Sequence, residues 1–481
     1  MLLGAIILVP ALGAVAAYLD RAPARRPVWL VGCALTHLVL VAAAWRFAPA
    51  AAEPGWLAFD PLGGLVLTLV SVVFVAVSAY AVGYLRREDP RGGRAFVSCL
   101  LAFLAASSLV ALTRHFGLLW VGMEATTLAT APLIYDPSDR RSLEAVWKYL
   151  LLCSVGIALA LLGTFFLATA QVAGAAPHGG ALMLPHLMAG AHGLHPAWLR
   201  AAFVFLLIGF GTKMGLAPMH TWLPDAHGEA PSPISALLSG ALLNVAFLAV
   251  LRGFEVVQAA GQADFARPLL IGFGLLSLLV AAAFLLGQEN YKRMLAYSSV
   301  EHMGILATGV GVSGVAAYGA LLHMVGASLA KAMLFMAAGN ILIGYGTKRT
   351  REVAGLLRAL PVTGALFVAG LFAITGAPPF ALFPSEIALL AGAVNGGQVW
   401  IAAVMILLQA TVFMAMGSGM LGMMLGAPSP ERRPPGVRED RWLVVPPLAL
   451  LMLVLVLGLH VPAGLHHALA AAAGALGGSA P

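Results

Sequence analysis

A lysine and a proline interrupt one long apolar run of this chain, in the stretch Phe210-Gly-Thr-Lys213-Met-Gly-Leu-Ala-Pro218. Pro218 has no amide hydrogen and its ring crowds the preceding turn, so a helix containing this stretch should break or kink near Lys213. Irregular backbone at membrane depth is tolerated only where protein or water covers it. A lysine at such a break therefore predicts an ion site inside a membrane protein.

The composition supports a membrane protein. Of the 481 residues, 61% are hydrophobic and only 10% are charged, whereas soluble chains average about 25% charged residues. So much apolar surface indicates that lipid is the solvent for much of the chain. Cys33, Cys99 and Cys153 lie far apart without ligand spacing, and no P-loop or Rossmann fingerprint occurs, so we expect no metal site and no bound cofactor.

Apolar runs long enough to cross a bilayer, or nearly so, predict an all-α polytopic membrane protein with about fourteen transmembrane helices. We place the runs at about 2–19, 28–47, 62–84, 95–112, 115–135, 144–170, 198–223, 231–257, 267–287, 293–311, 314–345, 360–392, 397–426 and 441–471. The first run has no basic segment before it and no cleavage-type site before a soluble domain, so we interpret it as a span rather than a cleaved signal.

The net charge of +7 is spread over short loops and forms no basic surface, so nucleic acid is not expected as a partner. Alternate loops differ: one set carries 20 of the 27 Lys and Arg residues. The positive-inside rule makes that set cytoplasmic and puts both termini on the other side. One cytoplasmic loop, 224–231, is an exception with Asp225 and Glu229 and no basic residue. The opposite loops carry Arg46, Arg114, Arg200, Arg252 and Arg267.

Four charged residues lie inside the apolar spans: Lys213, Lys331, Glu124 and Glu386. A charge at a helix centre costs about 2.5–3.5 kcal/mol on insertion scales, so such groups usually face a bundle interior or a wet cavity. An ion pair that only locks helix packing is the alternative. Two acids and two amines at comparable depth favour a functional path, because a Lys–Glu pair of changing separation could load and release a proton.

A second interrupted run repeats this design, in Gly376-Ala-Pro-Pro379-Phe-Ala-Leu-Phe-Pro384-Ser-Glu386. The seventh and twelfth spans run in opposite directions, which predicts an inverted repeat of five helices. Spans 4–8 (95–258) would be mirrored by spans 9–13 (259–426). Residues 1–94 would form an N-terminal unit of three spans, and 427–481 the last span.

Several histidines allow two interpretations. His323 lies two turns before Lys331, and a relay there is as plausible as a hydrogen-bonded core histidine. Glu301 and His302 could be a buried pair or an interfacial polar patch. The segment 171–196 is Gly- and Ala-rich with irregular spacing, which favours a loop over a metal site; its histidines are His178, His186, His192 and His195.

Three stretches resemble a known family: Gly211-Thr-Lys213-Met-Gly-Leu-Ala-Pro-Met-His220-Thr-Trp-Leu-Pro-Asp225-Ala-His-Gly-Glu-Ala-Pro231-Ser-Pro-Ile-Ser-Ala-Leu-Leu-Ser239-Gly, Met294-Leu-Ala-Tyr-Ser-Ser-Val-Glu301-His302-Met-Gly, and His323-Met-Val-Gly-Ala-Ser-Leu-Ala-Lys331-Ala-Met-Leu-Phe. They resemble the antiporter-like subunits of respiratory complex I, of multisubunit cation/proton antiporters and of membrane-bound hydrogenases. The resemblance covers essentially the whole chain, and is strongest to the hydrogenase-4 component F group.

The resemblance implies roles for the buried charges. Glu124 and Lys213 would be the pair of a proton half-channel, Lys331 a relay, and Glu386 the group at the outward exit. Lys148 matches a basic position of the sixth helix, where it could lean toward Glu124 instead of facing the cytoplasm. His220 and Asp225 lie within the first matching stretch and are accessory candidates.

The sequence also departs from the family. Complex I members usually have Lys or His in the eighth helix, where this chain has Ser239 and Asn244. A second histidine of the eleventh helix is replaced by Ala327. Because Asn and Ala hold no proton at neutral pH, the central relay would need water between Lys213 and Lys331, or it is weakened.

The resemblance implies a proton-translocating subunit of a redox complex of hydrogenase-4, formate-hydrogenlyase or complex I type. It would have no catalysis of its own and would sit in the bacterial cytoplasmic membrane with other membrane subunits and a peripheral redox arm. Three alternatives stay open: a cation/proton antiporter without redox partners, the membrane partner of an inorganic-carbon uptake protein, and a scaffold that pumps nothing.

Overall fold

The computed structural model describes residues 1–48, 55–88, 93–135, 140–174, 182–426 and 439–480. Within these ranges the regular structure is entirely helical, with short 3₁₀ turns between some helices. The α-helices are α1 (Leu2–Leu19), α2 (Arg26–Phe47), α3 (Pro61–Glu88), α4 (Gly93–Leu112), α5 (Phe116–Ile134), α6 (Arg140–Val172), α7 (Leu184–Ala189), α8 (Pro196–Met214), α9 (Trp222–Glu229), α10 (Ser232–Leu237), α11 (Leu243–Ala259), α12 (Ala263–Leu285), α13 (Tyr291–Val312), α14 (Val315–Tyr345), α15 (Leu356–Ala359), α16 (Pro361–Ile374), α17 (Leu382–Asn395), α18 (Val399–Leu425), α19 (Arg441–Leu459) and α20 (Ala463–Ala475).

The predicted all-α polytopic fold is confirmed. Within the described ranges, 12 helical stretches are long and apolar enough to cross a membrane. The shorter apolar helices α16 and α17 together fill the position of the twelfth predicted span. The 22-residue α13 fills that of the tenth, although it is too polar to be counted among the 12. A total of fourteen crossings requires α13 and the α16–α17 pair to cross the membrane in addition to these 12. The number fourteen therefore stays a prediction.

The predicted break beside Lys213 is confirmed. Helix α8 ends at Met214, and Gly215 follows in the left-handed region with φ of 84°, the conformation that glycine adopts most readily at a helix end. Neighbouring side chains satisfy the freed backbone: the Trp222 indole N–H donates to the Thr212 carbonyl at 2.8 Å, and the Ala217 N–H donates to Ser277 Oγ at 2.9 Å.

The loop predicted at 224–231 is wrong, because most of it is the short helix α9. The residues Trp222, Leu223 and Ala226 are buried and continue an apolar face beyond the break. Asp225 lies in the first turn of α9, where a carboxylate interacts favourably with the helix dipole. The seventh span therefore consists of two successive helices, α8 and α9, rather than one helix and a loop.

The second predicted break is also confirmed. Helix α16 ends at Ile374 and α17 begins at Leu382. Between them the Ala381 N–H donates to the Val454 carbonyl of α19 at 3.0 Å. Gly458 of α19 permits this close approach, because a Cβ there would lie 2.1 Å from the Pro379 carbonyl oxygen.

The eighth span contains an irregularity that the sequence did not predict. After α10, a π-helical turn runs from Leu238 to Leu242 and leads directly into α11. Such turns insert one extra residue per turn and occur often at functional sites. Ser239 lies on this turn, and Asn244 follows it.

Two predicted segments need correction. The last span, 441–471, is two helices, because α19 ends at Leu459 and Pro462 cannot continue a helix. Helix α20 then packs against α3 and α14 through an apolar stripe that includes Leu469 and Ala472. The segment 171–196 is only partly a loop, since it includes α7; His178 lies outside the described residues.

Arg252 was expected in an outer loop, but it is buried in α11. Its side chain is 4% exposed and pairs with Asp60 at 2.5 Å and with Glu255 at 2.9 Å. Asp60 precedes α3, so the guanidinium joins two distant parts of the chain. The hydropathy pattern missed this because the two carboxylates that compensate the buried charge cannot be recognised before the helices are assembled.

The helices α6 and α8 touch through glycines. A Cβ at Gly209 of α8 would lie 2.5 Å from the Ala160 N and 2.6 Å from the Gly156 carbonyl oxygen of α6. Small residues of this kind let membrane helices approach closely. This contact holds the helix that carries Lys213 against the bundle.

Replacement of Gly209 by Ala should therefore destabilise the protein by about 1–3 kcal/mol through overpacking. Gly272→Ala is the matched control, because a Cβ at Gly272 meets nothing within 4 Å. Denaturant unfolding in detergent, followed by far-UV circular dichroism, measures both variants. Equal stability of the two would contradict the tight α6–α8 contact.

Removal of the buried guanidinium should also destabilise the protein. Arg252→Met leaves Asp60 and Glu255 together without their shared partner, and breaking a buried ion pair in this way costs about 3–5 kcal/mol. Arg349→Met, at an exposed pair whose Arg349 Nη1 lies 3.8 Å from Glu352 Oε1, should cost less than about 1 kcal/mol. The same unfolding measurement compares the two variants, and a loss of stability for Arg252→Met no larger than that of the control would contradict a stabilising role for the Arg252 ion pairs with Asp60 and Glu255.

Candidate functional site

Lys213 is fully buried at the end of α8 and donates hydrogen bonds to α5. Its Nζ lies 2.7 Å from the Met123 carbonyl oxygen and also contacts Thr127 Oγ1. Thr127 Oγ1 in turn lies 3.4 Å from Glu124 Oε2. Among the described residues Glu124 has no cation within 4.0 Å, so Lys213 and Glu124 are joined through the Thr127 hydroxyl rather than as a direct ion pair.

Lys331 of α14 is held in a very similar way by α13. Its Nζ donates to the Leu295 carbonyl oxygen at 3.0 Å and contacts Ser298 Oγ. An ammonium group has three N–H donors and an uncharged amine has two. Each of these two lysines has two acceptors among the described residues, one carbonyl and one hydroxyl, which is sufficient for an uncharged amine.

The eighth span reaches this second lysine through hydroxyl groups. Ser239 Oγ lies 2.8 Å from Ser299 Oγ, and Ser299 donates to the Leu295 carbonyl that also accepts from Lys331. Asn244 Nδ2 donates to the Gly240 carbonyl at 3.0 Å and to Ser328 Oγ at 2.7 Å. Asn244 Oδ1 is buried and has no hydrogen-bond partner in the described part of the chain.

The two open interpretations of Glu301 and His302 are decided in favour of burial. Both side chains lie in the interior of α13. His302 Nδ1 is 2.9 Å from His323 Nε2 on α14, and His323 Nδ1 is 3.1 Å from Ser385 Oγ on α17. His323, two turns before Lys331 on α14, is therefore part of a chain of polar contacts that joins three helices.

Glu386 lies beside the break between α16 and α17. A Cβ at Gly376 would be 2.1 Å from Glu386 Oε2, so the carboxylate rests against the backbone of the break. Gly376 has φ of 70°, and no other residue type would leave this space. Glu386 thus lies in the first half of α17, just after the break that the proline-rich stretch predicted.

Asp225 on α9 holds two cations. Asp225 Oδ2 lies 2.9 Å from Lys148 Nζ of α6, and Oδ1 lies 3.0 Å from Arg293 Nη2 of α13. Lys148 is 45% exposed and also pairs with Glu144 at 2.7 Å. Lys148 therefore faces the α9 surface and does not lean toward Glu124.

His220, which precedes α9, is also mostly buried. Its ring lies 6.3 Å from that of Tyr297, and its Nδ1 has no partner among the described residues. His220 follows Lys213 by seven residues, but among the described residues it takes no part in the hydrogen bonds of Lys213 or Lys331.

Sequence reasoning missed four side chains of this site: Thr127, Ser298, Ser385 and His227. Thr127 follows Glu124 by three residues and so shares its helix face, which could have identified it. His227 lies within the quoted motif. It is fully buried on α9 and stacks on Phe335, one turn beyond Lys331, with ring centroids 4.9 Å apart. Ser298 and Ser385 carry no signal before the helices are packed.

Two membrane helices are broken here, one beside the buried Lys213 and the other beside the partly buried Glu386, and hydroxyl groups contact the buried lysines. This arrangement defines the class of polytopic proteins that carry ions along an internal polar path. A family model described as NADH:quinone oxidoreductase/Mrp antiporter, TM, matches residues 113–413. The chain belongs to this family.

Individual relatives support the assignment of the chain to this family. The Hydrogenase-4 component F homolog of Methylacidiphilum infernorum (isolate V4) is 38% identical over 341 residues, 69% of this chain and 72% of that protein. The NADH-quinone oxidoreductase subunit N of Desulforudis audaxviator (strain MP104C) is 32% identical over 441 residues, 89% of this chain and 86% of that protein. A chain of the Mrp complex from Dietzia sp. DQ12-45-1b has the same fold, with a TM-score of 0.85 and 21% identity, covering 99% of this chain and 97% of that one.

Proposed function

We propose that this chain is a proton-translocating membrane subunit of a larger redox complex. The observation that carries the proposal is the pair of buried lysines, each donating to one carbonyl and one hydroxyl of a neighbouring helix. Burying a charged amine where no carboxylate pairs with it is costly, and loss of its proton removes that cost, so such an amine is suited to changing its charge during function. The two curated relatives reported above are named as components of hydrogenase-4 and NADH-quinone oxidoreductase, which supports a redox complex.

Proton loading would begin at Lys213. Thr127 contacts Lys213 and lies 3.4 Å from the Glu124 carboxylate, so a small movement of α8 against α5 would bring the amine to the acid. Opposite charges attract more strongly as they approach in a medium of low dielectric constant. Movement of the Lys213 amine toward Glu124 would stabilise its ammonium form. Its return to the position beside Thr127 and Met123 would favour release of the proton.

The middle of the path would use hydroxyl groups and water. Ser239, Ser299 and the Leu295 carbonyl connect the eighth span to Lys331. Asn244 cannot carry a proton, but its buried Oδ1 is a free acceptor among the described residues and could hold a water molecule beside Ser328. The substitution of the usual Lys or His is then compensated by water rather than by another ionisable group.

The division into repeats is part of the proposal. Residues 95–258 and 259–426 would be the two inverted repeats, after the unit 1–94 and before 427–481. In this division α8 and the α16–α17 pair, the two broken spans, would be equivalent members of the two repeats, which run in opposite directions. We also propose the bacterial cytoplasmic membrane as the location, and the loop charges support an orientation with both termini on the non-cytoplasmic side.

Other subunits would supply the energy. We propose further membrane subunits and a peripheral redox arm of hydrogenase or dehydrogenase type as partners. The chain itself would contribute no redox step and would convert a conformational or electrostatic signal into a change of lysine protonation.

A cation/proton antiporter is the second candidate, favoured by the fold shared with the Mrp complex chain. The two functions differ in their driving force. In inverted membrane vesicles, a redox subunit should acidify the interior on addition of hydrogen, formate or NADH. An antiporter should instead dissipate an existing proton gradient on addition of sodium.

Replacement of Lys213 by Ala should abolish proton translocation by the assembled complex, because the path loses its first buried amine. Arg349→Ala, at an exposed site, should translocate at the parental rate. Proteoliposomes with a pH-sensitive dye measure the rate. If Lys213→Ala pumps normally, or if Lys213→Met only lowers stability while coupling is kept, the residue is a packing element and the proposal fails.

Removal of the Thr127 hydroxyl should slow translocation without abolishing it. Thr127→Val keeps the shape but removes a hydrogen bond to a chargeable amine, worth about 1.5–3 kcal/mol, or roughly tenfold or more in rate. Thr164→Val is the matched control, because in the described part of the chain that buried hydroxyl bonds the Ala160 carbonyl of its own helix and no other group. Equal rates for the two variants would show that Thr127 does not connect Lys213 with Glu124.

A further inference from the structure

An apolar groove, which we call the α16 groove, lies along the outer side of α16. One wall is formed by Ala365, Val368, Ala369 and Phe372 of that helix. Ala365 and Ala369 are one turn apart, and their small side chains leave this space open. Ala365 and Phe372 are exposed, so the groove opens at the surface of the bundle. Its volume is about 640 Å³, within the usual range of about 300–1,000 Å³ for sites of small organic ligands.

The α16 groove has the length of one lipid leaflet. It begins at Leu357 of α15 and ends at Pro378 and Phe380, in the break between α16 and α17. The 14 residues of α16 span roughly 21 Å, and half of the hydrocarbon core of a bilayer is about 15 Å thick. Because Leu357 adjoins a basic loop, which belongs at the membrane surface, the other end of the groove lies near the bilayer midplane.

Arg358 lies at the surface end of the groove, directly after Leu357. Its side chain is exposed and forms no ion pair among the described residues. The other basic residues of this loop do have carboxylate partners: Lys348 pairs with Glu229 at 2.6 Å, Arg349 with Glu352 at 3.8 Å and Arg351 with Glu289 at 3.1 Å. Within the described part of the chain, Arg358 is therefore the basic residue of this loop whose charge is left for a ligand.

Glu439 occupies the start of α16, the other place where an anion could bind at this end. Its Oε2 accepts from the Val362 N–H at 3.1 Å, and its Oε1 accepts from the Thr363 N–H at 2.7 Å. The helix N-terminus, which would otherwise attract an anion, thus already holds a carboxylate. A negatively charged headgroup is expected on Arg358, because a guanidinium can donate two parallel hydrogen bonds to one phosphate.

We propose that the α16 groove binds an anionic phospholipid, with one acyl chain along α16 and the phosphate on Arg358. The residues that line the groove are apolar and the free charge lies only at its surface end, which matches an amphipathic ligand. A transmembrane helix of a partner subunit would continue past the break to the other side of the bilayer, whereas the groove ends at the break. The inference does not depend on the proposed function, because lipid binding is measured without proton translocation.

The bound acyl chain would contact the break itself. Pro378 and Phe380 line the inner end of the groove, and the Glu386 carboxylate rests against Gly376 of the same segment. A chain that fills the groove would therefore restrict the movement of the segment on which Glu386 rests. In this way a surface lipid would contact a part of the protein that lies deep in the membrane.

The first test uses two photoactivatable lipids in nanodiscs that hold the assembled complex. One is phosphatidylglycerol with a diazirine at the end of an acyl chain, and the other is phosphatidylcholine with the same chain. Peptide mass spectrometry locates the label. Phosphatidylglycerol should label residues 372–380 at least about fivefold more than phosphatidylcholine, because an arginine near the membrane surface attracts anionic lipids. Equal labelling by the two lipids, or no labelling because a partner subunit covers the groove, would overturn the proposal.

The second test repeats the phosphatidylglycerol labelling on variants of the complex. Arg358→Gln should lower the labelling of residues 372–380 at least about fivefold, and Ala369→Phe should abolish it by filling the groove. The matched controls are Arg349→Gln, whose arginine already pairs with Glu352, and Ala42→Phe, at an exposed position of α2. Both should be labelled like the parent protein.

Unchanged labelling of Arg358→Gln would show that the arginine does not hold the headgroup, and the proposal would fail. Unchanged labelling of Ala369→Phe would show that the chain lies outside the groove, with the same result. If Ala369→Phe does not assemble, Arg358→Gln and the comparison of the two lipids decide the outcome.

Discussion

A helix that breaks within a membrane must find partners for its freed backbone groups in neighbouring helices, and the rest of this structure depends on how that is achieved. At the first break the indole of Trp222 and the hydroxyl of Ser277 supply the partners. At the second, the carbonyl of Val454 does so, where Gly458 lets the two segments meet. Because the breaks are covered by protein, charged side chains can lie beside them.

The buried lysines, like the helix breaks, find their hydrogen-bond partners on neighbouring helices. Each amine donates to a carbonyl and a hydroxyl that belong to a neighbouring helix, so neither requires a permanent counter-ion. The contrast is the Arg252 cluster, where a guanidinium that cannot lose its charge is held by two carboxylates. The interior thus contains charges of two kinds: fixed ones that join helices, and titratable ones whose partners are neutral.

The sequence predicted the helical fold, both breaks and the positions of Lys213, Lys331 and Glu386, because hydropathy and proline act locally along the chain. The hydroxyls that connect these groups could not be predicted. Serine and threonine in membrane helices usually bond a carbonyl of their own turn, and nothing local distinguishes Ser298 or Ser385 from such residues. The π-helical turn at Leu238–Leu242, the buried pairing of Arg252 and the separate helix α20 depend in the same way on tertiary contacts.

Asp225 has a mechanical consequence. Its two carboxylate oxygens form ion pairs with Lys148 of α6 and Arg293 of α13. Through these pairs the short helix α9 contacts both proposed repeats. Lys148 and Arg293 keep part of their side chains in solvent, so each of these ion pairs contributes about 1 kcal/mol or less. Helix α9 is therefore a joint between α6 and α13 that a small relative displacement can release and that can form again.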